Sequence, residues 1–259
     1  MKKRIISAII MSLIFIPLLL IGNLPFVIFI TILGIGAMYE LLKLKPNLPL
    51  IIKILIYIET IILILIDKLK FTNNISIFLI IILLINLILL VFIDNKDKYN
   101  YKDAFYLLGI VLFIGLSFRN FIYLRDYSLN ILIYLLLITI VTDSFALFTG
   151  KLLGKHKLAP NISPNKTIEG SIGGSLFGTT SASIFYLLVI NNNNIILTIF
   201  ITLLLTIIGQ LGDLIKSSIK RYENIKDFSN LIPGHGGIID RLDSIIFVVM
   251  TYILIMGLF

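Results

Sequence analysis

Long apolar runs separated by short polar breaks set the pattern of this chain. They fall at roughly 5–22, 24–42, 50–66, 75–93, 104–122, 129–149, 170–190, 195–215 and 240–258. Each approaches the ~20 residues needed to cross about 30 Å of hydrocarbon. The runs are continuous, whereas barrel strands would alternate in segments of ~10 residues. The pattern predicts an all-α, polytopic transmembrane bundle of about nine spans. Met1-Lys2-Lys3-Arg4 ahead of the first run resembles a signal peptide. No small-residue cleavage site follows, so the run is expected to stay as the first span. The whole chain, 1–259, reads as a single integral membrane domain, with N-terminal spans in 1–128 and a catalytic half in 129–259.

Composition supports the pattern. The chain is 58% hydrophobic and only 14% charged; a soluble domain carries about a quarter charged residues. Mean hydropathy is +1.06. With no cysteine, disulfides and thiolate metal sites are excluded. The net charge of +8 would suggest nucleic acid on a soluble protein, but the basic residues sort by side. With the N-terminus in the cytoplasm, eighteen of the 22 Lys and Arg fall on the cytoplasmic side. Only Lys68, Lys70, Arg119 and Arg125 fall outside. That asymmetry predicts an N-in topology in a cell (inner or plasma) membrane, and no nucleic-acid partner.

The informative polar material lies in 150–169 and 216–239. Short turns are expected at 67–74 and at the low-complexity Asn191–Asn194 stretch. Asp213, Ser217, Lys220 and Arg221 are spaced i, i+4, i+7 and i+8, on one face of a helix extending span eight. A carboxylate with cations two turns on suits a metal–phosphate site; a snorkelling helix end gives the same spacing. Pro233-Gly234-His235-Gly236-Gly237 lets backbone amides approach an anion, or simply makes a tight turn. Asp240 and Asp243 are expected on one face at the start of span nine. Acids there suit a helix N-terminus, but carboxylates entering hydrocarbon are candidates for function. Asp143 ends an uncharged stretch, 129–142. Ser163 and Pro164 read as N-cap and N1 of span seven, with Lys166 and Thr167 forming a candidate phosphate site. Gly170, Gly174 and Gly178 predict close helix packing. Gly150 to Lys155 is not a P-loop, and neither a zincin motif nor a nucleophile elbow occurs.

Residues 217–243, SSIKRYENIKDFSNLIPGHGGIIDRLD, resemble the signature of the phosphatidate cytidylyltransferase (CDP-diacylglycerol synthase) family. The matching positions are Ser217, Lys220, Arg221, Lys226, Asp227, Ile232, Pro233, His235, Gly236, Gly237, Asp240, Arg241 and Asp243. Upstream, Thr142-Asp143, Gly150 and the SPNKTIEG stretch are also similar; Asn165 departs, where members often carry Lys. The resemblance covers about 140–244. It implies transfer of cytidylyl from CTP to phosphatidate, giving CDP-diacylglycerol and pyrophosphate in phospholipid synthesis. It further implies Mg²⁺, and leaves room for a second cation. Asp213 and Asp240 are expected as primary metal ligands, with Asp243 and Asp143 supporting. Lys166, Lys220, Arg221 and Arg241 are expected on phosphates, His235 on a phosphate or a carboxylate. Ser217, Lys226 and Asp227 join the catalytic set; Ser163, Thr167, Gly234, Gly236, Gly237 and Ser244 are expected to bind substrate. Expected partners are CTP, phosphatidate and membrane lipids, with a homodimer compatible. The alternatives are a CTP-dependent polyprenol or phytol kinase and a membrane transporter.

Overall fold

The computed structural model describes residues 2–69, 75–93, 95–190 and 194–258. Most of the expected turns at 67–74 and 191–194 lie outside the described residues. Nine α-helices occur among the described residues. They are α1 (Lys2–Ile21), α2 (Asn23–Leu42), α3 (Leu50–Leu69), α4 (Ile75–Phe92), α5 (Tyr101–Tyr127), α6 (Leu129–Leu153), α7 (Ile168–Phe185), α8 (Ile195–Tyr222) and α9 (Asp243–Leu258). Each coincides with one apolar run, to within a few residues at most ends.

Six of them, α2 and α4 to α8, are long and apolar enough to cross a membrane. Apolar Ile6–Ile21 and Asp243–Gly257 are shorter, and α3 carries Lys53, Glu59, Asp67 and Lys68. The distribution of apolar surface is that of a protein solvated by lipid. On α4 only Ile82 and Asn86 are buried, while Val91 and Phe92 are each 77% exposed. A water-solvated domain does not present such a face.

The chain divides into two compact units. The first is Met1–Tyr123 together with Ser229–Ile239; the second is Leu124–Phe228 together with Asp240–Phe259. The division falls inside α5, and a late loop is returned to the N-terminal part.

In the first unit α2 packs on α3 and α1. Gly34 faces Ile64 and Phe118, and Gly115 faces Leu63, so small residues let these helices approach. The start of α5 is a reciprocal cap. Asn100 Oδ1 accepts from the Asp103 amide, and Asp103 accepts from the Asn100 amide at 3.2 Å. Asp103 also accepts from Lys45 at 2.7 Å. Buried Glu59 accepts from Asn86 Nδ2 at 3.0 Å, and the Tyr99 hydroxyl donates to the Asn86 carbonyl at 2.8 Å.

In the second unit α6 and α7 form the most extensive pairing. Gly170 and Gly174 lie against Thr142 and Ala146 of α6, and Gly178 against Thr142. A Cβ on Gly174 would stand 2.7 Å from the Thr142 carbonyl oxygen. The four-residue glycine stripe is thus a packing device, as expected. Gly209 and Gly212 do the same for α8 against α9. The Tyr134 hydroxyl lies 2.7 Å from Thr202 Oγ1, joining α6 to α8.

Two sequence expectations change here. Residues 157–167 form an antiparallel hairpin of β1 (Lys157–Ala159) and β2 (Ser163–Thr167). Ser163 and Pro164 are strand residues, not cap and N1; the N-cap of α7 is Thr167, whose side chain accepts from the Gly170 amide at 3.1 Å. Among the described residues, the named strands are the two of this hairpin, beside an isolated bridge between Ile232 and Gly236. Likewise α9 starts at Asp243, so Asp240 precedes the helix rather than sharing a face with Asp243.

Candidate active site

A cavity of about 660 Å³ opens in the second unit, and its walls come from α6, β2, α7, α8 and the approach to α9. Four carboxylates line it: Asp143, Asp213, Asp240 and Asp243. So do three cations, Lys151, Lys166 and Arg241. Residues separated by a hundred positions therefore meet in one polar recess of an apolar bundle.

Each wall has a local reason. Asp143 sits on α6 one residue past Thr142, where the glycines of α7 permit contact. The Ser244 hydroxyl donates to it at 3.2 Å. Lys166 is delivered by β2, and its Nζ pairs with Asp213 Oδ2 at 2.5 Å. Ser217, one turn beyond Asp213 on α8, donates to the other oxygen at 3.4 Å. Asp240 is the most enclosed, its side chain 2% exposed. Lys220 donates to one of its oxygens at 2.8 Å and the Phe228 amide to the other at 3.0 Å. That last bond closes the two points at which the Ser229–Ile239 segment leaves the second unit and returns to it.

The hairpin is held at both ends. At its base Glu169 accepts from the amides of Lys155 and His156, and His156 Nδ1 lies 2.6 Å from it. Near its tip Arg221 Nε donates to the Ile162 carbonyl at 3.2 Å. Arg221 thus braces the hairpin and does not line the cavity. Lys226 and Asp227 are exposed and lie outside the lining, as do Ser163, Ser217, Lys220 and Ser244. Ser217, Lys220 and Ser244 instead hold the acids that do line it.

The glycine-rich turn belongs to the first unit. Gly234 and Gly236 have φ of 80° and 85°, the left-handed conformation anticipated for glycine. Ile232 donates to the Gly236 carbonyl at 2.9 Å, and His235 to that of Ile232. The His235 ring Nδ1 lies 2.6 Å from Ser7 Oγ.

Sequence reasoning passed over Lys216. It is 2% exposed on α8. Its signal was its position three residues from Asp213, which also suits an ordinary helix pair. Lys151 and Gln210 also line the cavity; Gln210 Nε2 donates to Ser175 Oγ of α7 at 2.8 Å.

The donor set can be tested against a divalent cation. Carboxylate oxygens are the hard ligands that Mg²⁺ takes, usually with substrate phosphates completing the shell. Asp240 accepts from Lys220 and from the Phe228 amide, and these bonds orient its carboxylate. Among the described residues, no three acidic or imidazole groups already stand as a ligand cluster. The carboxylates lining the cavity are of a chemistry that suits a hard divalent cation.

Apolar helices of membrane length around a recess of carboxylates and lysines define a helical membrane protein with a polar, charged site. The chain belongs to the cytidylyltransferase family, whose sequence model matches residues 2–259. It is 36% identical to the phosphatidate cytidylyltransferase of Bacillus subtilis (strain 168) over 266 residues, covering 100% of this chain and 98% of that one. It is 37% identical to the enzyme of the same name from Staphylococcus haemolyticus over 249 residues, and 38% identical to that of Staphylococcus aureus (strain COL) over 252. Those two matches cover 96% of each chain.

Proposed function

We propose that this chain transfers cytidylyl from CTP to phosphatidate, yielding CDP-diacylglycerol and pyrophosphate. The observation that carries the reading is the end-to-end match to relatives of that name. The cavity supplies chemistry that suits it. A phosphate monoester is largely dianionic near neutrality, since its second pKa is about 6. Its oxygen attacks the α-phosphorus of CTP, one P–O bond forms, and the bond to the departing pyrophosphate breaks. No strong base is needed; repulsion between anions is the barrier.

Lys166, Lys151 and Arg241 face the space where a triphosphate would lie, and each offsets part of its charge. Lys220, paired with Asp240, adds positive charge beside the acids of the recess. Thr167 caps α7, and the start of that helix lines the cavity, where its dipole favours an anion. Ser217 and Ser244 orient Asp213 and Asp143. Arg221 holds the hairpin carrying Lys166. Asp213 and Asp240, supported by Asp243 and Asp143, would hold Mg²⁺. The ion would supply Lewis-acid stabilisation of charge on the transferring phosphoryl group.

We further propose nine spans in a cell membrane, with the N-terminus and the cavity on the cytoplasmic side. The Lys and Arg asymmetry supports this. Labelled CTP tests the reaction: purified protein with phosphatidate should place the cytosine label in the lipid. Appearance of only the γ-phosphate there would make it a lipid kinase instead.

A further inference from the structure

Glu40 lies on α2, a helix whose other residues are apolar or weakly polar, and its exposure is 0%. A carboxylate in such a segment is costly and calls for a reason. Its partners all come from one stretch of chain about two hundred residues away. Ser229 Oγ donates to Oε1 at 2.6 Å, the Ile238 amide to Oε1 at 2.7 Å, and the Ile239 amide to Oε2 at 2.9 Å. Gly237 completes the fit, because a Cβ there would stand 2.5 Å from Oε1 and 2.6 Å from Oε2.

These bonds grip the first and last residues of the Ser229–Ile239 segment with one carboxylate. Between the grips is the Pro233-Gly234-His235-Gly236-Gly237 turn, with its two left-handed glycines. A buried loop amide without an acceptor costs about 1–3 kcal/mol, so satisfaction of donors is part of the answer. It does not explain a charge, since a neutral side chain could accept these bonds. A carboxylate makes them roughly twice as strong as neutral ones, and so removes freedom from the backbone.

We infer that Glu40 is a positioning residue for the cytidylyl-transfer site. It fixes the backbone segment that runs directly into Asp240. The inference rests on the proposed reaction for its kinetic consequence, but its structural half is independent of it.

The test compares Glu40→Gln with Glu59→Gln in the full chain in detergent or nanodiscs. Glu59 is also a buried acid of the first unit, 4% exposed, but it bonds Asn86 and not the loop. A misplacement of ~1 Å can cost on the order of 100-fold in rate. Glu40→Gln should therefore lower kcat about 10- to 100-fold while KM for CTP moves less than about threefold. Hydrogen exchange across 229–239 should rise at least about tenfold with the helices unchanged. Glu59→Gln should stay within about twofold of the parent on both counts. Equal losses in the two variants, an unchanged kcat in Glu40→Gln, or unchanged exchange in 229–239 overturns the inference. If Glu40→Gln is not recovered folded, Ser229→Ala removes one donor without altering α2. It should lower kcat several-fold and speed exchange in the same segment, and parental behaviour in it overturns the inference. An inactive parent protein would overturn the proposed reaction and leave the exchange comparison to decide on Glu40.

Discussion

Asp213 and Asp240 line the same cavity and are both proposed ligands, yet charge removal at the two should have different physical consequences. The Asp213 side chain is 28% exposed and its partner Lys166 26%. Pairs of that kind are worth about 0.2–1 kcal/mol, because solvent screens them. Asp240 is 2% exposed, and it accepts from both Lys220 and the Phe228 amide. Breaking a buried pair from one side costs about 3–5 kcal/mol, because the remaining charge loses its counter-ion. At 17% exposure Lys220 keeps some contact with solvent, so the lower end of that range applies. On the scale of roughly 2–4 °C per kcal/mol for a chain of this size, Asp240→Asn should lower Tm by about 6–12 °C. Asp213→Asn should lower it by no more than about 4 °C on the same scale. Turnover should fall in both by on the order of 100-fold or more if each acid holds Mg²⁺. The double variant should be little worse than either single one, because one lost ligand already disables a shared ion. The assays are thermal unfolding in detergent and CTP:phosphatidate turnover across a Mg²⁺ series. Near-full turnover of Asp213→Asn at saturating Mg²⁺, or a Tm loss matching that of Asp240→Asn, would refute the reasoning.

Lys166→Ala should cut turnover at least about tenfold with little change in Tm, since it removes a partly exposed charge facing the cavity; loss of folded protein would instead make Lys166 structural. Gly174→Val should destabilise the α6–α7 pair by about 1–3 kcal/mol or more, seen as a lower Tm, because its Cβ would meet the Thr142 carbonyl and the Ala146 methyl. Chelation with EDTA should abolish turnover and added Mg²⁺ restore it; activity that survives exhaustive chelation counts against an ion at the carboxylates. Reporters fused within 67–74 and within 191–194 should read external and those within 150–169 cytoplasmic, and a cytoplasmic reading at both of the first two would falsify the N-in topology.

The helices and their approximate ends were legible in the chain because the requirement is local. An apolar run of membrane length must satisfy its own backbone, and only a helix does so within one segment. The glycine stripe and the left-handed turn were legible for similarly local reasons. The hairpin was not, because Ser163-Pro164 satisfies a helix start as well as a strand start. Only the pairing of Lys157 with Thr167 and of Ala159 with Ser163 decides between them. Spacing placed Asp240 and Asp243 on one helix face, whereas bonds from Lys220 and Phe228 keep Asp240 ahead of the helix. Glu40 carried a signal that could have been used: a lone acid inside an apolar run. Its partners could not have been named, since Ser229, Ile238 and Ile239 are joined to it by tertiary contact alone. Local pattern thus determined which residues form the apolar helices and which could bear charge. Which acids share a lysine, and which loop answers to a glutamate far along the chain, was decided by packing, because hydrogen-bond partners are chosen by proximity in space.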